Sequence, residues 1–200
     1  MNASRRVAGL AVAFLIGGCG AAAGPALHPG AVMASVSSPR STYTGAPSAR
    51  STSTDDGIPD GTVMSAYHSQ RCAYEVLVPN GWARIDLPTG ASFTDTRNAV
   101  RIETRAAPVP PTVNSARSQL NGVAISRLGT VIRKGGRAIL IAYRIDSLPD
   151  LMTGKVVKER VERYTFYRPG LEAILTLWGP VSADNTSPWR TISDSFHWTG

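Results

Sequence analysis

The clearest alternation in the chain runs from Asn98 to Thr104, where Val100, Ile102 and Thr104 point one way and Arg101 and Glu103 the other. Period two with one apolar set predicts a half-buried strand. Ala73 to Val78 is apolar and rich in β-branched residues, and it stops at Pro79-Asn80-Gly81, so a strand and a turn are expected there. Further along, Leu128 to Arg133 and Ala138 to Ile145 flank Lys134-Gly135-Gly136, which predicts a hairpin. Val156 to Tyr167 and Glu172 to Trp178, joined by Arg168-Pro169-Gly170, complete an antiparallel meander. Two segments switch to helical spacing. Thr112 is a cap with Pro111 just outside it, Val113, Ala116, Leu120 and Val123 follow, and Asn121-Gly122 is a stop signal. Near the C-terminus Ser187 is the expected cap and Pro188 the first helical residue, with Trp189, Ile192 and Phe196 on one face. The class is α+β: an antiparallel β-sheet flanked by helices, as one domain over 61–200.

The N-terminal part follows neither period. Arg5 and Arg6 precede an uncharged, largely apolar run from Val7 to Ile16. A run of that length is too short for a hydrocarbon core of ~30 Å, which takes about 20 helical residues. It suits the apolar region of an export signal. The Leu15-Ile16-Gly17-Gly18-Cys19 that follows resembles the lipobox of bacterial lipoproteins: an aliphatic residue, two small ones that fit a peptidase cleft, and a cysteine that takes a diacylglyceryl group. The resemblance implies a signal peptide over 1–18, lipidation at Cys19 and a place on the outer face of the cell membrane. Two or more acyl chains hold a protein stably where one does not.

Between the box and the domain, 19–60 predicts a disordered tether. From Ala34 to Asp55, eleven of twenty-two residues are Ser or Thr, too few apolar groups to offset the entropy of ordering. Some 40 residues of this kind span roughly 35 Å. Exported Ser/Thr/Pro-rich stretches also accept O-linked sugar.

Composition adds charge to this picture. The 200 residues carry 21 Lys and Arg against 14 Asp and Glu, a net +7. Residues 1–60 hold four basic and three acidic groups, so 61–200 holds 17 against 11, a net +6. A basic body tethered beside anionic lipid or wall polymer would be drawn to it. An exported protein does not meet nucleic acid. Arg133, Lys134 and Arg137 cluster in one expected turn, which makes them the candidate surface contacts.

Two stretches carry a resemblance to a known family. Tyr74-Glu75-Val76-Leu77-Val78-Pro79-Asn80-Gly81-Trp82 looks like the strand and P-x-G-W that open PsbP-like domains. Trp178-Gly179-Pro180, Asp184-Asn185 and Ser193-Asp194-Ser195-Phe196-His197-Trp198 are similar to the close of related actinobacterial lipoproteins, in the Mog1/PsbP-like and LpqN-type group. The resemblance covers roughly 70–198 and implies an α/β/α sandwich around an antiparallel sheet. Known members assist assembly or bind partners rather than catalyse, and no metal ligand or other functional residue carries over to this sequence.

Candidate chemistry is sparse. Thr153-Gly154-Lys155-Val156 lacks the first glycine and the hydroxyl residue of a phosphate-binding loop and precedes a strand, so a hairpin loop is expected. Asp194, Ser195 and His197 include the residue types of a hydrolase triad. Neighbours on one helix cannot serve one another as nucleophile, base and orienter, and Ser195 is expected to be silent when replaced. His28 and His68 have no partner in view, and neither metal nor cofactor is expected. Cys72 is read as a small buried hydrophobe, with an intermolecular disulfide as the alternative. Trp82 and Trp189 are expected in the core. Trp178, Asn185 and Trp198 form the candidate rim for a ligand or partner. The expected function is therefore a membrane-anchored, non-catalytic interaction or accessory module with an envelope protein partner. A lipid- or small-molecule-binding module is the alternative.

Overall fold

In the computed structural model, residues 57–149 and 152–200 are described. Ten strands and two helices follow in the order β1 (Met64–Ser69), β2 (Tyr74–Pro79), β3 (Ala83–Leu87), β4 (Gly90–Thr94), β5 (Ala99–Ala107), α1 (Val113–Ser118), β6 (Ile125–Arg133), β7 (Gly136–Asp146), β8 (Lys158–Arg168), β9 (Gly170–Pro180), α2 (Thr186–Ser195) and β10 (His197–Trp198). They build a seven-stranded sheet, β3-β4-β5-β9-β8-β7-β6, and a three-stranded one, β1-β2-β10, with every pair antiparallel. The fold is α+β, as the patterning predicts, and the β6–β9 meander is present.

Strand alternation sorts the large sheet into two faces. Val100, Ile102, Leu140, Tyr164, Phe166, Leu175 and Leu177 meet Tyr74 and Val76 of the small sheet and Trp189, Ile192 and Phe196 in the main core. The residues between them face the other way, where Ile139, Ile141, Tyr143 and Val161 are covered by Ala116, Val113 and Leu120 of the α1 region. The order of layers is thus α1, large sheet, then α2 together with the small sheet. Phe196 is fully buried, its ring stacked on Phe166 at 4.1 Å between centroids.

Helix boundaries differ from expectation for local reasons. Thr112 caps α1 by accepting from Ser115 N at 3.0 Å, and Ser115 returns the bond, a reciprocal box that fixes the start. The helix ends at Ser118, ahead of Leu120, and Leu120 still packs on the second cluster from the following turn. In α2 the cap position belongs to Asn185 rather than Ser187, so Pro188 lies within the first turn, where its missing N–H costs no helical bond. The Asn185 side chain does not cap. Asp184 Oδ1 takes the Thr186 N–H at 3.0 Å instead, and that bond holds its carboxyl below the usual range.

The start of the folded body also differs. Ile58 is 4% exposed and belongs to the main core, and its N–H donates to Asn185 Oδ1 at 2.8 Å. The domain therefore includes residues ahead of the expected boundary at Gly61.

Ser195 is not a bystander either. β2 pairs with β10 only through Glu75 and Tyr74, which leaves the Leu77 N–H beyond the end of that strand. Ser195 Oγ accepts it at 2.8 Å and donates to Ile192 O at 2.7 Å.

Two stability outcomes follow from this packing. Phe196→Ala should cost ~3–5 kcal/mol, and Ser195→Ala about 1–3 kcal/mol by stranding the Leu77 N–H, both measured by denaturant unfolding. A chain begun at residue 61 should melt several degrees below one begun at residue 57, because it lacks the Ile58 side chain and its bond to Asn185.

Candidate functional site

The expected surface cluster splits. Arg133, Lys134 and Arg137 do flank one hairpin turn, but the Arg133 side chain is only 9% exposed. Its guanidinium donates to Ser193 Oγ at 3.0 Å and Tyr164 Oη at 3.1 Å, and its Nε lies 3.6 Å from Asp194 Oδ1. Asp194 also holds Arg190 at 2.6 Å, while Tyr164 Oη donates to Glu162 at 2.6 Å. Burial and the Glu162 carboxylate push the Tyr164 hydroxyl up in pKa. Arg133 is thus a clamp between β8 and α2, unavailable to a surface. The turn itself is docked: a Cβ on Gly135 would lie 2.0 Å from Phe196 O, so only glycine fits there. Lys134 and Arg137 remain exposed.

The candidate rim also separates. Asn185 is 1% exposed, and its Nδ2 donates to Asn98 Oδ1 at 2.8 Å while its Oδ1 accepts from Ile58. Gly179 lies against this pair, where a Cβ would meet Asn98 Oδ1 at 2.3 Å. Asn185 is a structural knot, with no valence turned to a partner. Trp198 packs on the main core, edge-on to Phe196 at 5.1 Å and beneath the Arg168 guanidinium at 4.7 Å. Trp178 packs in the second cluster, on the opposite face of the sheet. The two tryptophans share no site.

Other sequence candidates resolve into structure. Trp189 is core, with Arg160 over its ring at 4.5 Å, and Trp82 packs against the same core from partial burial. His68 faces Glu75 across β1 and β2 at 3.7 Å, and His197 Nδ1 lies 3.0 Å from Ser195 O. Among the described residues no group of three His, Cys, Asp or Glu side chains converges as a metal site. Thr153, Gly154 and Lys155 lie in the β7–β8 connection, which is a loop as expected. Cys72 is 3% exposed, its sulfur accepts from Thr104 Oγ1 at 3.1 Å, and it is disulfide-bonded. Burial therefore agrees with the expectation, but the thiol is not free. His28 and Cys19, like the whole of the expected signal and most of the tether, lie outside the described residues.

Of the clefts among the described residues, the one at Trp178 takes in a residue the sequence singles out. It encloses about 550 Å³ between the β4–β5 turn, with Thr96 and Arg97, and the β7–β8 loop, with Leu148, Lys155 and Val157. Glu159 lines it too, and burial raises its carboxyl above the ordinary range. Two of its hydroxyls are engaged locally: Ser147 Oγ donates to Leu148 O at 2.9 Å and accepts from Val157 N at 3.0 Å. Thr153 Oγ1 accepts from Lys155 N at 3.3 Å. An indole face, one leucine and two cations around a single acid make a surface that binds. Of this lining only Trp178 was expected, because Arg97, Leu148, Lys155 and Glu159 sit in or beside connections with no periodicity to mark them.

No family model matches the chain, and no curated protein matches it. Solved structures do resemble it in shape. Cyanobacterial PsbP from Synechocystis is similar at 16% identity over 68% of this chain and 93% of that one, with a TM-score of 0.49. A Bacteroides thetaiotaomicron protein is similar at 8% identity over 68% of this chain and 48% of that one, with a TM-score of 0.48. The Ran-binding protein Mog1p of Saccharomyces cerevisiae is similar at 8% identity over 68% of this chain and 96% of its own, with a TM-score of 0.46.

Proposed function

We propose that this protein is a membrane-anchored lipoprotein of the bacterial cell envelope, held by lipid on Cys19 and acting as a non-catalytic interaction or accessory module. The observation that carries the reading is Leu15-Ile16-Gly17-Gly18-Cys19 behind Arg5, Arg6 and a short apolar run. The described domain supports it by its chemistry. The buried polar groups at Arg133, Asn185 and Ser195 are spent on internal hydrogen bonds, and the Trp178 cleft offers an indole face, Leu148 and the cations of Arg97 and Lys155 for contact. Partners of this module are an envelope protein and the anionic surface beside it.

A second reading is a module that holds a lipid or small molecule. The cleft of about 550 Å³ favours it, since ligand pockets begin at roughly 300 Å³. Lipid co-purifying with the protein, identified by mass spectrometry, supports the second reading. A specific protein crosslinked in intact membranes supports the first.

The anchor is tested directly. The natural chain should incorporate labelled palmitate, and Cys19→Ala should incorporate none. A thioether at Cys19 and a disulfide from Cys19 to Cys72 exclude one another, so the intact mass of the membrane-bound form reads both. A Cys19→Ala chain that still takes label, or a natural chain with Cys19 in a disulfide and no lipid, overturns the assignment.

A further inference from the structure

Exposed apolar side chains gather at one end of the large sheet. Of the nine large hydrophobics exposed among the described residues, Ile145, Leu148, Met152, Val156 and Val181 lie where β7 ends, β8 begins and β9 ends. Backbone bonds draw these segments together: Ser147 N donates to Val157 O at 2.9 Å, and Val181 N to Lys158 O at 3.0 Å. Leu148 and Met152 are 90% and 93% exposed. Single exposed apolar residues are ordinary, whereas a cluster on a loop marks a surface that is covered by something.

Cations surround the same end. Arg144 of β7 stands directly opposite Arg160 of β8, and Arg127 of β6, opposite Ala142, lies diagonally beside Arg144 on the same face. Like charges in directly opposed positions destabilise a sheet unless something lies between them. Among the described residues Arg127, Arg144 and Lys155 are exposed and have no ion pair, whereas Arg160 is held over the Trp189 ring at 4.5 Å and acts on Asp184. The acids at this end are otherwise engaged. Asp146 pairs with Lys158 at 2.6 Å, Asp184 accepts from Thr186, Asp95 accepts from Arg97 N and Asn98 N, and Glu159 has its pKa raised by burial.

The N-terminal segment arrives here as well. Ile58 is tied to Asn185, which lies against Gly179, and Gly179 pairs with Arg160. Thirty-seven residues lie between Cys19 and Gly57, the first described residue. The folded body therefore begins at this end of the sheet.

We infer that this end of the sheet docks on an anionic phospholipid bilayer, with Leu148, Met152 and Val156 entering the headgroup region and Arg127, Arg144 and Lys155 taking lipid phosphates. Apolar side chains ringed by cations are what an interfacial surface needs: insertion gives burial, and the charges select anionic lipid. The inference deepens the anchored reading by saying which side faces the membrane. It rests on that reading only for the position of the tether.

The test uses the chain from Cys19 onward, expressed without export so that it carries no lipid, and therefore does not depend on the anchor. Binding is measured by co-sedimentation with vesicles of phosphatidylcholine alone and with phosphatidylglycerol added. The natural chain should bind the anionic vesicles and release them as salt rises. Arg127→Gln with Arg144→Gln should weaken that binding by more than tenfold, since each basic side chain near such a surface is worth about fivefold. Leu148→Gln should weaken it with no change in melting temperature, because a side chain this exposed has no native packing to lose. Equal binding to neutral and anionic vesicles, or undiminished binding by either variant, overturns the proposal. So does release by millimolar inorganic phosphate, which would make the arginines a site for free anion.

Discussion

The large sheet has one face that is apolar from β4 to β8, and only a small layer is available to cover it. That layer is one ten-residue helix, two six-residue strands and a two-residue strand. Such pieces are too short to hold themselves, so each is fastened to the sheet or to its neighbour by side chains. Asn185 fixes the start of α2, and Arg133 and Ser195 fix its last turn. The polar residues that look most like chemistry in the sequence are the fasteners of this cover.

How far the sequence is legible depends on whether an element's partner is local. The β6–β9 meander is readable because its strands alternate and its turns carry their own signals at Lys134-Gly135-Gly136 and Arg168-Pro169-Gly170. β3 is exposed at four of its five positions, so it has no apolar face to betray it, and β4 is five residues between turns. β1 is an edge strand whose exposure does not alternate cleanly. The pairing of β5 with β9 joins residues some 70 apart in the chain, from Ala99–Trp178 to Ala107–Gly170, and no local pattern encodes it.

The candidate site was legible to a smaller degree, and for the same reason. Trp178 stands out by residue type alone, but its neighbours in the cleft come from the β4–β5 turn and the β7–β8 loop. Arg133 shows how a turn misleads. Lys134 and Gly135 make the reversal, while the arginine beside them belongs to β6 and points down onto Tyr164. Arg163 is a related case on the opposite face. Burial lowers its pKa, Gln119 accepts from one terminal nitrogen at 2.6 Å, and its Nε has no partner. A scattered arginine in the sequence can thus be a strut, a surface charge or a half-satisfied buried group.

The tie between Ile58 and Asn185 has a mechanical side. Tension applied to the N-terminal segment reaches this single hydrogen bond and the Ile58 side chain before it reaches any strand. Beyond it lies Met64, which sits at the open end of the β1–β2 hairpin opposite Pro79. Load arriving there peels β1 from β2 one residue pair at a time, the geometry in which hydrogen bonds break in succession rather than together. Behind β1, the seven-stranded sheet meets that load through side chains such as Tyr67 on Phe93, not through a shared ladder of backbone bonds. The first strand to meet such a pull is thus the one fastened to its neighbour along a single edge.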